Sequence, residues 1–237
     1  MSEATFIPSN SEKAKAWAVH AFTATGAVWG LLALFAAINL QWQMVFVWMV
    51  VGVFVDAVDG FFARRANVKK VLPEFDGALL DNVIDYFTYV LLPGAMIYLH
   101  PTLMPNLGWA TVGAGIMGMT SAYQFCRTDA KTEDHTFLGF PSYWNILVMY
   151  LILIEPNPWF SLFWIVVCGI LVFIPIKYAY PSRMLRFQTP TLTLAYVWAA
   201  MLAVVIFMYP NHPVWLVWAS LLYAVYYVGI SLYMMVR

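Results

Sequence analysis

Long apolar runs, broken by short polar or proline-bearing segments, fill the chain from Trp17 onward. Each run is on the order of 20 residues, the length at which an α-helix crosses the hydrocarbon core of a bilayer. The pattern predicts spans near 18–40, 44–63, 79–100, 109–126, 142–155, 159–177, 190–209 and 213–235. The fifth is short, and an extension into 137–141 or a tilt would accommodate it. Prolines punctuate the connections: Pro101 with Pro105, Pro156 with Pro158, Pro181, Pro190, and Pro210 with Pro213. Ahead of the first span, the polar stretch PSNSEKAKA reads as part of a cytosolic juxtamembrane segment over 1–17. Ser11 is the expected helix cap, with Glu12, Lys13 and Lys15 exposed and Trp17 at the membrane interface. The apolar run that follows is too long for a cleavable signal and carries no cleavage site.

Charge orients this set. The basic residues Lys13, Lys15, Arg64, Arg65, Lys69, Lys70, Arg127, Lys131, Lys177, Arg183, Arg186 and Arg237 all fall at a terminus or in an even-to-odd loop. The alternate loops, around Gln41, 101–107, 156–158 and 210–213, hold none. The positive-inside rule then places both termini and the basic loops in the cytoplasm. A miscounted span would scatter these residues over both sides, so the split favours eight.

Composition agrees. Of 237 residues, 63% are hydrophobic and only 10% charged, with 11 Trp, 14 Tyr and 17 Phe; mean hydropathy is +0.75. So few charges cannot clothe a water-soluble domain of this size, and the expected fold class is an all-α polytopic membrane bundle forming a single domain. A net charge of zero offers no case for nucleic acid as a partner. Cys126 and Cys168 lie in different apolar runs without metal-ligand spacing and read as packing thiols.

Against this background the stretch DAVDGFFARRANVKKVLPEFDGALLDNVID, residues 56–85, stands out. Asp56 and Asp59 are three apart, Asp81 and Asp85 four apart, so each pair shares one face of a helix. Two helices that each bring two carboxylates together can hold hard divalent cations. Arg64, Arg65, Lys69 and Lys70 as helix-end partners would explain Glu74 and Asp76. They explain the quartet poorly, because Asp56 lies about two turns inside Arg64 and Asp85 is deeper still. An ionised carboxylate in hydrocarbon is costly unless it is paired or bound to a cation. Gly60, Ala63, Gly77 and Ala78 leave room for a flat base or a sugar, although close helix packing accounts for any one of them alone. Arg64 can address a phosphate bidentately. A cation transporter with an intramembrane acid site is the rival from another class. It predicts acids deep in several helices and on both sides, whereas these cluster on one.

The motif Asp56-x-x-Asp59-Gly60-x-x-Ala63-Arg64, then Gly77-x-x-x-Asp81-x-x-x-Asp85, closely resembles the signature of the CDP-alcohol phosphotransferases. The spacer from Arg64 to Gly77 is twelve residues where that family usually has eight. This longer spacing, with PEFDGALLDNVIDY and eight rather than six spans, is similar to the bacterial phosphatidylcholine synthases within the family. His20-x-x-Thr23-x-x-Gly26 resembles the family's Asn-x-x-Thr-x-x-Gly helix, and Phe137-Leu138-Gly139-Phe140-Pro141 its Phe-x-Gly-Leu-Pro. The resemblance covers a six-helix core over 18–177, with 190–235 as two additional helices.

The resemblance implies phosphatidyl transfer from CDP-diacylglycerol to choline, with two Mn²⁺ or Mg²⁺ ions, in a homodimer of the bacterial inner membrane whose site faces the cytoplasm. It implies metal ligation by Asp56, Asp59, Asp81 and Asp85, with Asp85 also the general base. Donor contacts fall to Asp56, Gly60, Ala63, Arg64, Gly77, Thr23 and Arg127. Serine, inositol or glycerol phosphate is the alternative acceptor, each wanting added cationic or polar residues. A quaternary ammonium is best held by aromatic faces and nearby carboxylate charge. The candidates are Tyr123, Phe125, Tyr143, Tyr86, Trp144 and Tyr178, in a chain whose aromatics mostly fill lipid-facing or interfacial positions. Arg127 and Lys131 suit a lipid phosphate, and positive-inside topology explains them equally well. His100 and His212 read as incidental, and His135 falls in the polar loop.

Overall fold

The structure, a computed structural model, describes residues 7–130, 136–181, 184 and 186–236; Lys131, His135, Arg183 and Arg237 lie outside them. Helix α1 spans Asn10–Ile38 and α2 spans Trp42–Arg65, and the two pack as an antiparallel pair. The cap of α1 is Ser9, not Ser11. Ser9 Oγ accepts from the Glu12 amide while Glu12 reaches back to the Ser9 amide. The capping box needs its partner three residues on, and Ser9–Glu12 meets that spacing where Ser11 does not.

The long spacer after α2 is ordered. Its middle forms a one-turn helix, α3 (Val68–Val71), which exposes Lys69 and Lys70 and buries Val68, Val71 and Leu72 against Ala16 of α1. The third predicted span then runs over Gly77–Leu99 in three pieces. These are α4 (Gly77–Asp85), a π-helical stretch Tyr86–Leu91, and α5 (Leu92–Leu99). Pro93 has no amide to donate to the Tyr89 carbonyl, so the i→i−4 ladder is interrupted where the wider turns occur. Gly26 and Gly30 let α1 approach this element closely: a Cβ at either would stand 2.7 Å from Ile84 or 2.5 Å from Phe87.

Helix α6 (Leu107–Cys126) packs on α5 and on α8 (Pro158–Leu171). Between α6 and α8 in sequence lies α7 (Trp144–Ile154), the short fifth span. The 137–141 stretch does not extend it, because Thr136–Leu138 forms strand β1, paired antiparallel with β2 (Lys177–Ala179). Burial explains why α7 is short. Trp144, Asn145 and the run from Val148 to Leu153 are all buried, as in a helix surrounded by protein rather than lipid. Helices α9 (Gln188–Phe207) and α10 (Val214–Val236) pair with each other, and α10 also contacts β2 and α7.

Among the described residues, five helices are long and apolar enough to cross a membrane: Asn10–Ile38, Trp42–Arg65, Gly77–Leu99, Gln188–Phe207 and Val214–Met235. Trp144–Ile154 and Pro158–Leu171 are apolar but shorter. Large apolar side chains such as Phe35, Phe54, Phe163, Phe207 and Leu222 face outward, an exterior suited to lipid. The protein is an all-α membrane protein.

Candidate active site

The acids come together from two helices. Asp56 on α2 and Asp81 and Asp85 on α4 each offer an oxygen within 4.8 Å of the other two. An all-oxygen donor set of this kind fits a hard divalent cation such as Mg²⁺ or Mn²⁺ rather than a softer metal. Asp59 stands apart from that trio. It is buried, and its Oδ2 accepts from Thr23 Oγ1 on α1 at 2.8 Å. All four carboxylates nevertheless line one narrow crevice with Thr23 and Gly26. Tyr89, on the π-helical stretch, donates its hydroxyl to Asp56 Oδ2 at 2.8 Å.

Two cavities flank the acids. The larger, about 770 Å³, brings together Thr23, Gly60, Ala63, Arg64 and Gly77, five of the residues expected to meet the donor, beside Asp59 and Asp81. Its outer wall is the spacer itself, through Val68, Leu72, Pro73 and Phe75. The additional residues thus enclose the cavity. Arg64 lies back across Gly60, where a Cβ would come 3.3 Å from a guanidinium nitrogen. Gly77 opens α4, with the Asp76 carboxylate accepting from the Ala78 and Leu79 amides at 3.0 Å each. Asp76 is therefore a helix cap, a role distinct from the ion pairing expected of it. His20 presses on Gly77 and packs tilted against Phe75 at 4.5 Å between centroids; its Nε2 is buried without a hydrogen-bond partner.

The second cavity, about 370 Å³, holds Asp56, Asp81 and Asp85 on one side and Phe125, Phe137, Tyr143 and Tyr180 around them. Of the six aromatics singled out for an ammonium group, Tyr143 and Phe125 line this cavity. The other four do not. Trp144 is fully buried and donates to Ser121 Oγ at 2.7 Å, and Tyr86 donates to the Gly118 carbonyl at 2.9 Å. Tyr178 is buried, and Tyr123 lies outward against Phe173. Arg127 lines this cavity with Asp56, apart from the other five expected donor contacts, and pairs bidentately with Asp129 at 2.8 Å. That pair raises the Arg127 guanidinium and lowers the Asp129 carboxyl relative to their ordinary values.

Sequence reasoning missed Tyr89, Tyr180 and Asn82 at this site. Asn82 had a signal, lying between the paired acids of α4. Tyr89 had a weaker one in Pro93, whose missing amide marks the altered helix. Tyr180 had none, since its placement depends on the pairing of two short strands distant in sequence.

Comparison with known proteins finds relatives that span most of the chain. No family model matches the chain. The phosphatidylcholine synthase of Pseudomonas aeruginosa is 35% identical over 227 residues, covering 95% of this chain and 94% of that protein. That of Mesorhizobium japonicum is 40% identical over 188 residues, 79% of this chain and 69% of the relative. That of Legionella pneumophila is 44% identical over 169 residues, 71% and 66% respectively. On these similarities, and with the paired acids gathered as their spacing requires, the chain belongs to the bacterial phosphatidylcholine synthase family of membrane enzymes.

Proposed function

We propose that the protein transfers the phosphatidyl group of CDP-diacylglycerol to choline, yielding phosphatidylcholine and CMP. The observation that carries this reading is the carboxylate trio at the junction of two cavities, with Asp81 lining both. The larger cavity suits the donor's nucleotide. Gly60, Ala63 and Gly77 leave it open, and Arg64 places a fixed positive charge beside the diphosphate. Asp56, Asp81 and Asp85, with Asp59 as a fourth ligand, would hold the two Mg²⁺ or Mn²⁺ ions implied by the resemblance. Such ions, when bound, neutralise charge on the diphosphate and on the departing CMP.

The choline oxygen attacks the β-phosphorus, and the bond from that phosphorus to the CMP oxygen breaks. Asp85 takes the hydroxyl proton on a carboxylate oxygen as the new bond forms. Phe125 and Tyr143 face the acceptor. Positioning and electrostatics supply most of the rate in such a transfer. The same reading places eight spans in the inner membrane as one catalytic domain, with both termini and the site on the cytoplasmic side. It also includes assembly as a homodimer, which crosslinking in the membrane tests.

Purified protein given CDP-diacylglycerol, labelled choline and Mn²⁺ should form labelled lipid and CMP in equal amounts. EDTA should stop both, and added Mn²⁺ or Mg²⁺ should restore them. Serine, inositol and glycerol 3-phosphate run in parallel should be poor acceptors. Preference for any of these over choline would overturn the acceptor, and full turnover without metal would overturn the role of the acids.

A further inference from the structure

Helix α10 lies more than a hundred residues from the acids in sequence, yet it is tied to the walls of the smaller cavity. The Tyr227 hydroxyl donates to the Ala179 carbonyl at 2.9 Å, and the Ala179 amide donates to Ser231 Oγ at 3.0 Å. Ala179 ends β2, and the next residue, Tyr180, lines the cavity and packs on Phe137 at 4.8 Å between centroids. The Tyr227 ring also faces Tyr143, at 6.4 Å between centroids. On its other side the Tyr143 ring faces Tyr89 at 6.5 Å, and Tyr89 holds Asp56. A chain of aromatic contacts thus runs from α10 to a carboxylate of the trio.

The lining of this cavity is acidic and aromatic. Among the described residues its lining carries three carboxylates, Asp56, Asp81 and Asp85, and one cation, Arg127, which is already paired with Asp129 outside the lining. With the carboxylates committed to metal on one side, the ring faces on the other are what favour a cation that needs no hydrogen-bond acceptor. The lining offers an acceptor's carboxylate or phosphate no described cation beyond Arg127.

We infer that the trimethylammonium group of the acceptor is held in this cavity against the faces of Tyr143, Tyr180 and Phe137, and that Tyr227 of α10 is the positioning residue that sets Tyr143 and Tyr180 in place. The inference rests on choline as acceptor. It also explains the second of the two additional helices, which completes the acceptor pocket from outside the six-helix core.

The test measures CMP release by the purified full-length enzyme with choline and with 3,3-dimethylbutan-1-ol, its uncharged isostere. Tyr227→Phe should raise the choline KM about 3- to 30-fold, with kcat and the CDP-diacylglycerol KM little changed. Tyr143→Leu should also raise the choline KM and should narrow the preference for choline over the isostere. Tyr143→Phe keeps the ring and should retain that preference. Unchanged choline KM and preference in Tyr227→Phe and Tyr143→Leu would overturn the inference. So would a fall in kcat alone, equal for both acceptors. Should Tyr143→Leu fail to fold, Tyr227→Phe decides alone. Wild-type enzyme indifferent to choline would overturn the underlying reading instead, so the two failures are distinguishable.

Discussion

At Gly77 one methyl group would change the donor cavity. A Cβ there would stand 2.5 Å from His20 Cε1, and the imidazole could yield only by leaving its place against Phe75. Overpacking of this kind costs about 1–3 kcal/mol. Gly77→Ala should therefore raise the KM for CDP-diacylglycerol roughly tenfold while leaving that for choline unchanged, as steady-state kinetics with each substrate varied will report. Asp85→Asn separates two roles for one carboxylate. It should abolish transfer and spare donor binding, measured by retention of radiolabelled CDP-diacylglycerol; loss of binding as well would make Asp85 chiefly a metal ligand. The acids were legible in the sequence because a carboxylate inside an apolar run is anomalous. The aromatic walls were not, since with 18% aromatic residues no single ring is anomalous. Only the fold distinguishes Tyr143, which lines the cavity, from its neighbour Trp144, which is fully buried.

At the scale of elements, α4 depends on its first turn. The Asp76 carboxylate satisfies two amides that would otherwise lack partners, and loss of such a cap costs about 0.5–2 kcal/mol. Asp76→Ala should lower the thermal midpoint followed by tryptophan fluorescence and reduce turnover, because Gly77 sits on that turn and Asp81 starts the next; Asp76→Asn should keep most of both. Helix positions were largely legible, since apolar runs of this length report themselves. Their internal breaks were not. The π-helical stretch arises inside an unbroken apolar run, where hydropathy is blind to hydrogen-bond register. The pairing of β1 with β2 depends on contacts some forty residues apart. The shortness of α7 was visible, and its cause, enclosure by protein, was not.

At the scale of the whole molecule, the one-sided placement of Lys and Arg gives the strongest expectation. Reporters active only in the cytoplasm, fused to either end, should both give signal. Signal at one end alone would mean an odd number of spans, with α7 the first suspect. The membrane class was legible from composition, and the division of the interior into two chambers was not, because it needs α1, α2 and α4 to converge on one crevice. That division has a stereochemical consequence. Asp81 belongs to both walls; in the proposed reaction it therefore stands between nucleotide and alcohol, and the two substrates would be present together without the lipid fragment ever being bonded to the protein. A β-phosphorus made chiral with sulfur should leave the enzyme with its handedness inverted, the mark of one displacement; retention would betray a pair of them.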